Sequence, residues 1–167
     1  MKLNDIISSL RASVSPDSVV MIGLGNRDRS DDGFGLELAR RLKERFAERI
    51  FSEDEKSVEG IVLELIERED VQTFLFVDAT DFSGGPGEVR LFTDNDGEQF
   101  VPSFSTHKVP ISLLIEIIRQ HGKKFLLLGV QPESTQLFGG FSRSILDVMD
   151  RLEEEFVQFF NEKIRDV

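Results

Sequence analysis

Residues 23–35 read GLGNRDRSDDGFG, a glycine-rich bend that carries two adjacent carboxylates, Asp31 and Asp32. The bend follows the apolar run 19–22 and leads into a segment whose apolar residues recur at helical spacing. This order predicts a buried strand, a tight loop and a helix. A loop that cradles phosphate needs glycines and positive charge, whereas this loop offers negative charge. The stretch therefore indicates a site for a cation or a polar substrate.

The rest of the chain alternates between apolar runs and helical patterns, which predicts a mostly parallel, twisted sheet with helices on both faces. Strands are predicted at 18–24, 50–51, 74–77, 88–92 and 125–130, and helices at 4–12, 34–46, 58–68, 110–122 and 142–164. The strand at 88–92 is predicted to be antiparallel because a short turn precedes it. We expect residues 1–167 to form a single domain, a three-layer α/β/α sandwich on a sheet of about five strands.

Composition excludes several classes of protein. The 20 basic and 31 acidic residues give a net charge of -11, so the chain lacks the basic face that binds nucleic acid or an anionic membrane surface. The absence of cysteine excludes disulfides, thiolate metal sites and cysteine peptidases. There is neither a signal-peptide pattern at the N-terminus nor an apolar run long enough to span a bilayer. We therefore expect a cytoplasmic protein.

Polar side chains are predicted at the carboxyl ends of strands, where ligands bind in open α/β sheets. Asp32 follows the first strand, Asp78 ends the strand at 74–77, and His107 lies just before the helix at 110. Two carboxylates and an imidazole are suitable ligands for a borderline divalent metal. Each also has a structural alternative: Asp31 or Asp32 could cap the following helix, Asp78 could hold a turn, and His107 could bond to nearby backbone.

The glycine-rich loop does not match the common nucleotide-binding motif. Its supporting residues are Gly23, Gly25, Asn26 and Asp31. A dinucleotide-binding fingerprint would need a third glycine, where this chain has Asp28, and its acidic residues would repel a pyrophosphate. The chain also contains neither a Gly-x-Ser-x-Gly elbow nor a His-Glu-x-x-His zinc helix.

Five segments, taken in order, resemble the [NiFe]-hydrogenase maturation endopeptidases. They are GLGN with DDGFG (23–26 and 31–35), VDATD (77–81), PGEVR (86–90), STHKVP (105–110) and GVQPE (129–133). The DATD and THKVP variants are most similar to the subgroup that serves formate-hydrogenlyase-type hydrogenases, the hydrogenase 3 type. The resemblance spans residues 19–134, and the C-terminal helix fits the family layout.

The resemblance implies a monomeric endopeptidase that removes a C-terminal peptide from the hydrogenase large-subunit precursor after nickel insertion. By motif position, the residues that recognise nickel are Asp32, Asp78 and His107. The resemblance implies that their primary role is to bind the metal and that they are also catalytic. The nickel is carried by the substrate, so the resting enzyme need hold none. Three catalytic roles stay open. The metal could polarise the scissile carbonyl or activate a water, or a carboxylate could act as general base.

One segment departs from the family pattern. The family has Asp-Gly-Gly-Ser or Asp-Gly-Gly-Thr before its second helix, and the matching residues 54–57 read DEKS. Glycines allow another backbone to approach closely, and charged side chains in place of two of them disfavour such an approach. The fit of this loop to a standard precursor is therefore in question. Two alternative functions are a non-catalytic nickel-sensing binding protein and another metal-dependent hydrolase on the same scaffold.

Overall fold

The computed structural model describes residues 2–99, 101–102 and 110–162. Its helices are α1 (Leu3–Ser13), α2 (Phe34–Lys43), α3 (Val58–Leu65), α4 (Ile111–Gln120) and α5 (Arg143–Asn161). Its strands are β1 (Val19–Gly23), β2 (Ile50–Ser52), β3 (Thr73–Asp81), β4 (Val89–Thr93), β5 (Val101–Pro102) and β6 (Lys124–Val130). Within those ranges no helix combines the length and the apolar character that crossing a bilayer requires.

The main sheet has the strand order β2-β1-β3-β6-β4. Strands β2, β1, β3 and β6 are parallel to their neighbours, and β4 lies antiparallel to β6 at the edge, as its short preceding turn predicts. The two-residue strand β5, which the sequence patterns did not indicate, pairs antiparallel with the end of β3. Strand β2 lies on one side of β1 in the sheet, and the chain then crosses back to form β3 on the other side of β1. The switch point of the sheet, where α/β proteins bind ligands, therefore lies between β1 and β3.

Alternate side chains of the central strands pack into two separate apolar cores. In β3, Leu75 and Val77 belong to the core covered by α1, α2 and α5. Phe74 and Phe76 belong to the core that α3 and α4 cover. Helices thus lie on both faces of the sheet, and the predicted three-layer α/β/α architecture is confirmed. Because side chains alternate along a strand, Asp78 continues the face that α3 and α4 cover.

Several predicted boundaries were wrong. The strand predicted to end at Asp78 continues to Asp81, because β6 pairs with Asp78 and Ala79 and β5 pairs with the next two residues. Helices α2 and α3 end three residues earlier than predicted, as is common where helix ends loosen into turns. The predicted end of α5 at Ile164 lies outside the described residues.

A glycine at the start of α2 allows this helix to lie directly on the backbone of the sheet. A Cβ atom at Gly35 would lie 2.1 Å from the carbonyl oxygen of Val77 and 2.4 Å from that of Leu24. Both distances are far inside van der Waals contact, and neither carbonyl belongs to a flexible side chain. The close approach fixes the position of the loop between β1 and α2 relative to β3.

We predict that Gly35→Ala lowers the free energy of unfolding by about 3 kcal/mol or more, because α2 has to move away from β1 and β3. Urea denaturation measures the change. Gly85→Ala is the matched control, since a Cβ there meets nothing within 4 Å. Equal stabilities of the two variants would show that the contact at Gly35 does not constrain the fold.

Candidate functional site

The structure places Asp32 and Asp78 at the switch point of the sheet. Asp32 lies in the 3-10 turn Ser30–Gly33 that joins β1 to α2, and its side chain is fully buried. Strand β1 ends at Gly23, whose partner in β3 is Val77, so Asp78 is the first residue of β3 beyond the end of β1. Two acidic side chains 46 positions apart in the sequence, at 32 and 78, thus come from neighbouring elements at one edge of the sheet.

The surroundings of Asp78 disfavour its negative charge. Its side chain is 2% exposed, and burial raises its pKa well above the ordinary value. The nearby charges of Asp32 and Glu53 raise the pKa further. Among the described residues, no group donates a hydrogen bond to Oδ1 of Asp78, and no lysine or arginine forms an ion pair with this carboxylate. An opposite charge brought next to Asp78 would favour its ionised form.

Glu53 is an acidic neighbour of the site that the sequence analysis missed. It follows β2 directly, and its Oε1 accepts a hydrogen bond of 3.1 Å from the backbone N–H of Gly25. Its own N–H donates to the carbonyl of Gly23, also at 3.1 Å. Asp54 is the residue that matches the family aspartate, but the acidic residue that bonds to the backbone of the glycine-rich loop is Glu53. Its place at the end of a strand adjacent to β1 is the signal that could have identified it.

Asp31 holds the loops around the site together. Its carboxylate accepts backbone hydrogen bonds from Glu133, Ser134 and Ser142 at 2.7–3.0 Å, and a fourth bond from the hydroxyl of Ser142 at 2.7 Å. The backbone N–H of Asp31 donates to the carbonyl of Ser134. Asp31 therefore joins the turn that contains Asp32 to the loop between β6 and α5.

The remaining residues of the supporting loop act through the backbone. Gly25 has φ 144°, and a Cβ there would lie 2.0 Å from the carbonyl oxygen of Asp32. The N–H of Asn26 donates to this same carbonyl at 3.1 Å. The side-chain oxygen of Asn26 accepts from the N–H of Asp28 at 2.9 Å, which closes a local turn. The loop thus wraps tightly around the backbone of Asp32.

The charged loop that departs from the family pattern is held by ion pairs. Asp54 pairs with Arg27 at 2.6 Å and Glu55 pairs with Lys43 at 2.6 Å, while Lys56 pairs with Glu64. None of the loop's three charged residues adopts a positive φ. Side chains replace glycines here without a strained backbone, and the pair with Arg27 connects this loop to the glycine-rich one.

His107 lies outside the described residues. Helix α4 begins at Ile111, four positions after it, and covers the face of the sheet on which Asp78 lies. Within residues 2–99, 101–102 and 110–162, no group of three histidine, cysteine, aspartate or glutamate side chains is arranged to hold a metal ion. The described part of the site thus contributes two candidate ligands, Asp32 and Asp78.

Local structure bears on the structural alternatives raised for two of the aspartates. The N-cap position of α2 is occupied by Gly33 rather than by Asp32. Asp78 lies within β3 and pairs through its backbone with Gly129 of β6, so it does not hold a turn.

Fold and site together define a class: a three-layer α/β/α protein with two buried carboxylates at the switch point of a mostly parallel sheet. The family model for hydrogenase maturation protease, HycI, matches residues 60–159. The chain therefore belongs to the hydrogenase maturation protease family, and the resemblance inferred from the sequence is confirmed.

Individual relatives agree with this assignment. The chain is 26% identical over 133 residues to the hydrogenase 3 maturation protease of Escherichia coli, covering 78% of this chain and 83% of the relative. It is 29% identical over 136 residues to the hydrogenase expression/formation protein HoxM of Cupriavidus necator, covering 77% of this chain. The crystal structure of the [NiFe] hydrogenase maturation protease HycI from Thermococcus kodakarensis superimposes with a TM-score of 0.70 at 29% identity, over 87% of this chain and 94% of that one.

The relatives differ in length. The matched regions span 66% of HoxM from Cupriavidus necator and 63% of HoxM from Azotobacter vinelandii, slightly less than two thirds of each.

We predict that Asp78→Asn raises the free energy of unfolding at neutral pH by about 1 kcal/mol or more, because it removes a buried carboxyl group whose ionised form burial and two acidic neighbours disfavour. The folded-state pKa of Asp78 lies above its unfolded value, so wild-type stability falls as pH rises from about 4 toward that folded-state pKa. The advantage of Asp78→Asn therefore grows with pH over this range. Thermal unfolding at a series of pH values measures it, and a constant difference would contradict the prediction.

We predict the opposite effect for Asp31→Asn, which should lower the free energy of unfolding by about 2–4 kcal/mol. The amide nitrogen that replaces one carboxylate oxygen cannot accept a hydrogen bond. In place of Oδ2 it loses the bonds from the N–H groups of Glu133 and Ser134, and in place of Oδ1 it loses the bond from that of Ser142. Chemical denaturation measures the loss, with Asp28→Asn as the control because Asp28 is exposed. Unchanged stability of Asp31→Asn would show that this network does not hold the loops.

Proposed function

We propose that this protein is an endopeptidase that removes the C-terminal extension of a [NiFe]-hydrogenase large-subunit precursor once nickel has been inserted. Its recognition signal is the nickel ion that the substrate carries, and the residues that contact it are Asp32, Asp78 and His107. The observation that carries the proposal is the pair of buried carboxylates, Asp32 and Asp78, at the switch point of the sheet. Membership of the hydrogenase maturation protease family supports the reaction class.

The electrostatics of the site support recognition of a metal rather than of a peptide alone. Burial next to Asp32 and Glu53 makes an ionised Asp78 unfavourable until a positive charge arrives. Oxygen ligands from Asp32 and Asp78, and a nitrogen ligand from His107, would complete the coordination of an ion that the substrate already holds. A precursor without nickel lacks this anchor and would bind weakly, so the site would discriminate between loaded and empty precursor.

The chain acts as a monomer in the cytoplasm, where its precursor is made, and its strongly acidic composition disfavours binding to nucleic acid or membrane. The metal belongs to the substrate, so the resting enzyme does not require a metal of its own.

The direct test is incubation of the purified protein with nickel-loaded and nickel-free precursor side by side, followed by intact-mass measurement. We expect the loaded precursor alone to lose the mass of a short C-terminal peptide. A stable complex without any mass loss would instead identify a non-catalytic nickel-sensing protein. Hydrolysis of small substrates without precursor cleavage would identify a different hydrolase.

We predict that Asp32→Asn, Asp78→Asn and His107→Ala each reduce processing of the loaded precursor by at least about 100-fold, as expected for groups that contact the reacting centre. Each should retain cooperative thermal unfolding, which separates loss of activity from loss of fold. Glu37→Gln is a control, because Glu37 is an acidic residue of α2 engaged in ion pairs with arginines. Normal cleavage by all three site variants would show that these residues do not form the functional site.

A further inference from the structure

The loop between β6 and α5 carries an exposed apolar tip, defined here as Leu137 and Phe138. Their side chains are 57% and 83% exposed. They are also adjacent in sequence, unlike Leu63 and Leu113, which are the other exposed large apolar residues of the part that the structure describes. Scattered single apolar residues are normal on protein surfaces, whereas a contiguous apolar projection indicates a contact surface.

The backbone of the tip is held in a disfavoured conformation. Phe138 has φ 59°, within the left-handed region that bulky side chains rarely adopt. With 83% of its side chain in solvent, Phe138 offsets little of this strain by packing inside the fold. Strained conformations that persist away from the core are concentrated at binding sites.

The tip is attached to the loop that carries Asp32. The N–H of Phe138 donates a hydrogen bond of 2.6 Å to the carbonyl of Asp28. The hydroxyl of Ser30 donates to the carbonyl of Gln136 at 2.7 Å, so both sides of the tip are bonded to the turn before α2. The next position, Gly139, lies so close to Ser30 that a Cβ there would be 2.3 Å from its hydroxyl oxygen.

These bonds fix the place of the tip relative to the candidate site. Ser30 and Asp31, which hold the loop that bears the tip, directly precede Asp32 in the chain. A partner that brings a metal ion to Asp32 therefore approaches the same loop to which the tip is bonded. The tip is thus hydrogen-bonded to the same loop that leads into Asp32.

We propose that Leu137 and Phe138 dock into an apolar pocket of the hydrogenase large-subunit precursor, next to the segment that presents the nickel ion. This inference rests on the proposed function and adds a second, metal-independent contact to it. The tip supplies affinity for the precursor protein whether or not it is loaded, while Asp32 and Asp78 supply the dependence on nickel.

The test compares Phe138→Gly with the wild-type protein in processing of nickel-loaded precursor and in binding of nickel-free precursor. Glycine removes the apolar side chain and also relieves the left-handed strain, so the thermal midpoint should stay the same or rise. We expect KM for the loaded precursor to rise by about 10- to 100-fold, the factor that burial of one large apolar side chain supplies, with kcat little changed. The dissociation constant for nickel-free precursor should rise by the same factor.

Leu63→Ser is the matched control, because Leu63 is exposed on α3 and is not part of the tip. Its KM should equal that of the wild type. If the wild type cleaves the precursor and Phe138→Gly has an unchanged KM, the docking proposal is wrong while the proposed function stands. If the wild type cleaves no loaded precursor, the proposed function fails and the docking proposal fails with it. A wild-type dimer that Phe138→Gly converts to monomers would assign the tip to a second copy of the chain and overturn the proposal.

Discussion

The carboxylate of Asp78 is buried inside a parallel sheet, beside the charge of Asp32 and close to that of Glu53, where its ionised form is unfavourable. A fold that gains stability by burying apolar groups gains none by placing these carboxylates together. The arrangement is accounted for if a cation supplied by the substrate binds to both carboxylates and offsets their mutual repulsion. On this account, the site is least favourable when empty and is completed by the substrate, which is how a proofreading enzyme can require a loaded metal centre.

The surrounding structure keeps these groups in place against their repulsion. Gly35 lets α2 lie on the backbone of β1 and β3, which determines where the intervening turn can run. Asp31 then fastens that turn to the loop after β6 with four hydrogen bonds. The two adjacent aspartates thus have different neighbours: Asp31 is hydrogen-bonded to the loop between β6 and α5, whereas Asp32 is fully buried and its charge acts on Asp78. The same part of the chain positions the apolar tip, since Asp28 and Ser30 are hydrogen-bonded to the loop that bears it.

Much of this could be predicted from the sequence, because buried strands and amphipathic helices have strong local signatures. The alternation of apolar runs and helical patterns was sufficient to predict the three layers and the antiparallel edge strand at 88–92. The extension of β3 to Asp81 depends on pairing with β5 and β6, which lie twenty or more positions further along the chain and leave no local pattern. The role of Glu53 was missed for a similar reason, since its contact with Gly25 is made between neighbouring strands. The bonds of Asp31 to residues 133–142 are equally invisible in a single sequence.

The central claim is that Asp32 and Asp78 become ligands of the nickel ion held by the precursor. X-ray absorption at the nickel edge, measured on loaded precursor alone and on loaded precursor freeze-quenched with the protein, tests this directly. We predict that the complex with wild-type protein gains oxygen or nitrogen ligands around nickel, and that the complex with Asp78→Asn gains fewer. An identical nickel environment in the free precursor and in the wild-type complex would contradict the claim.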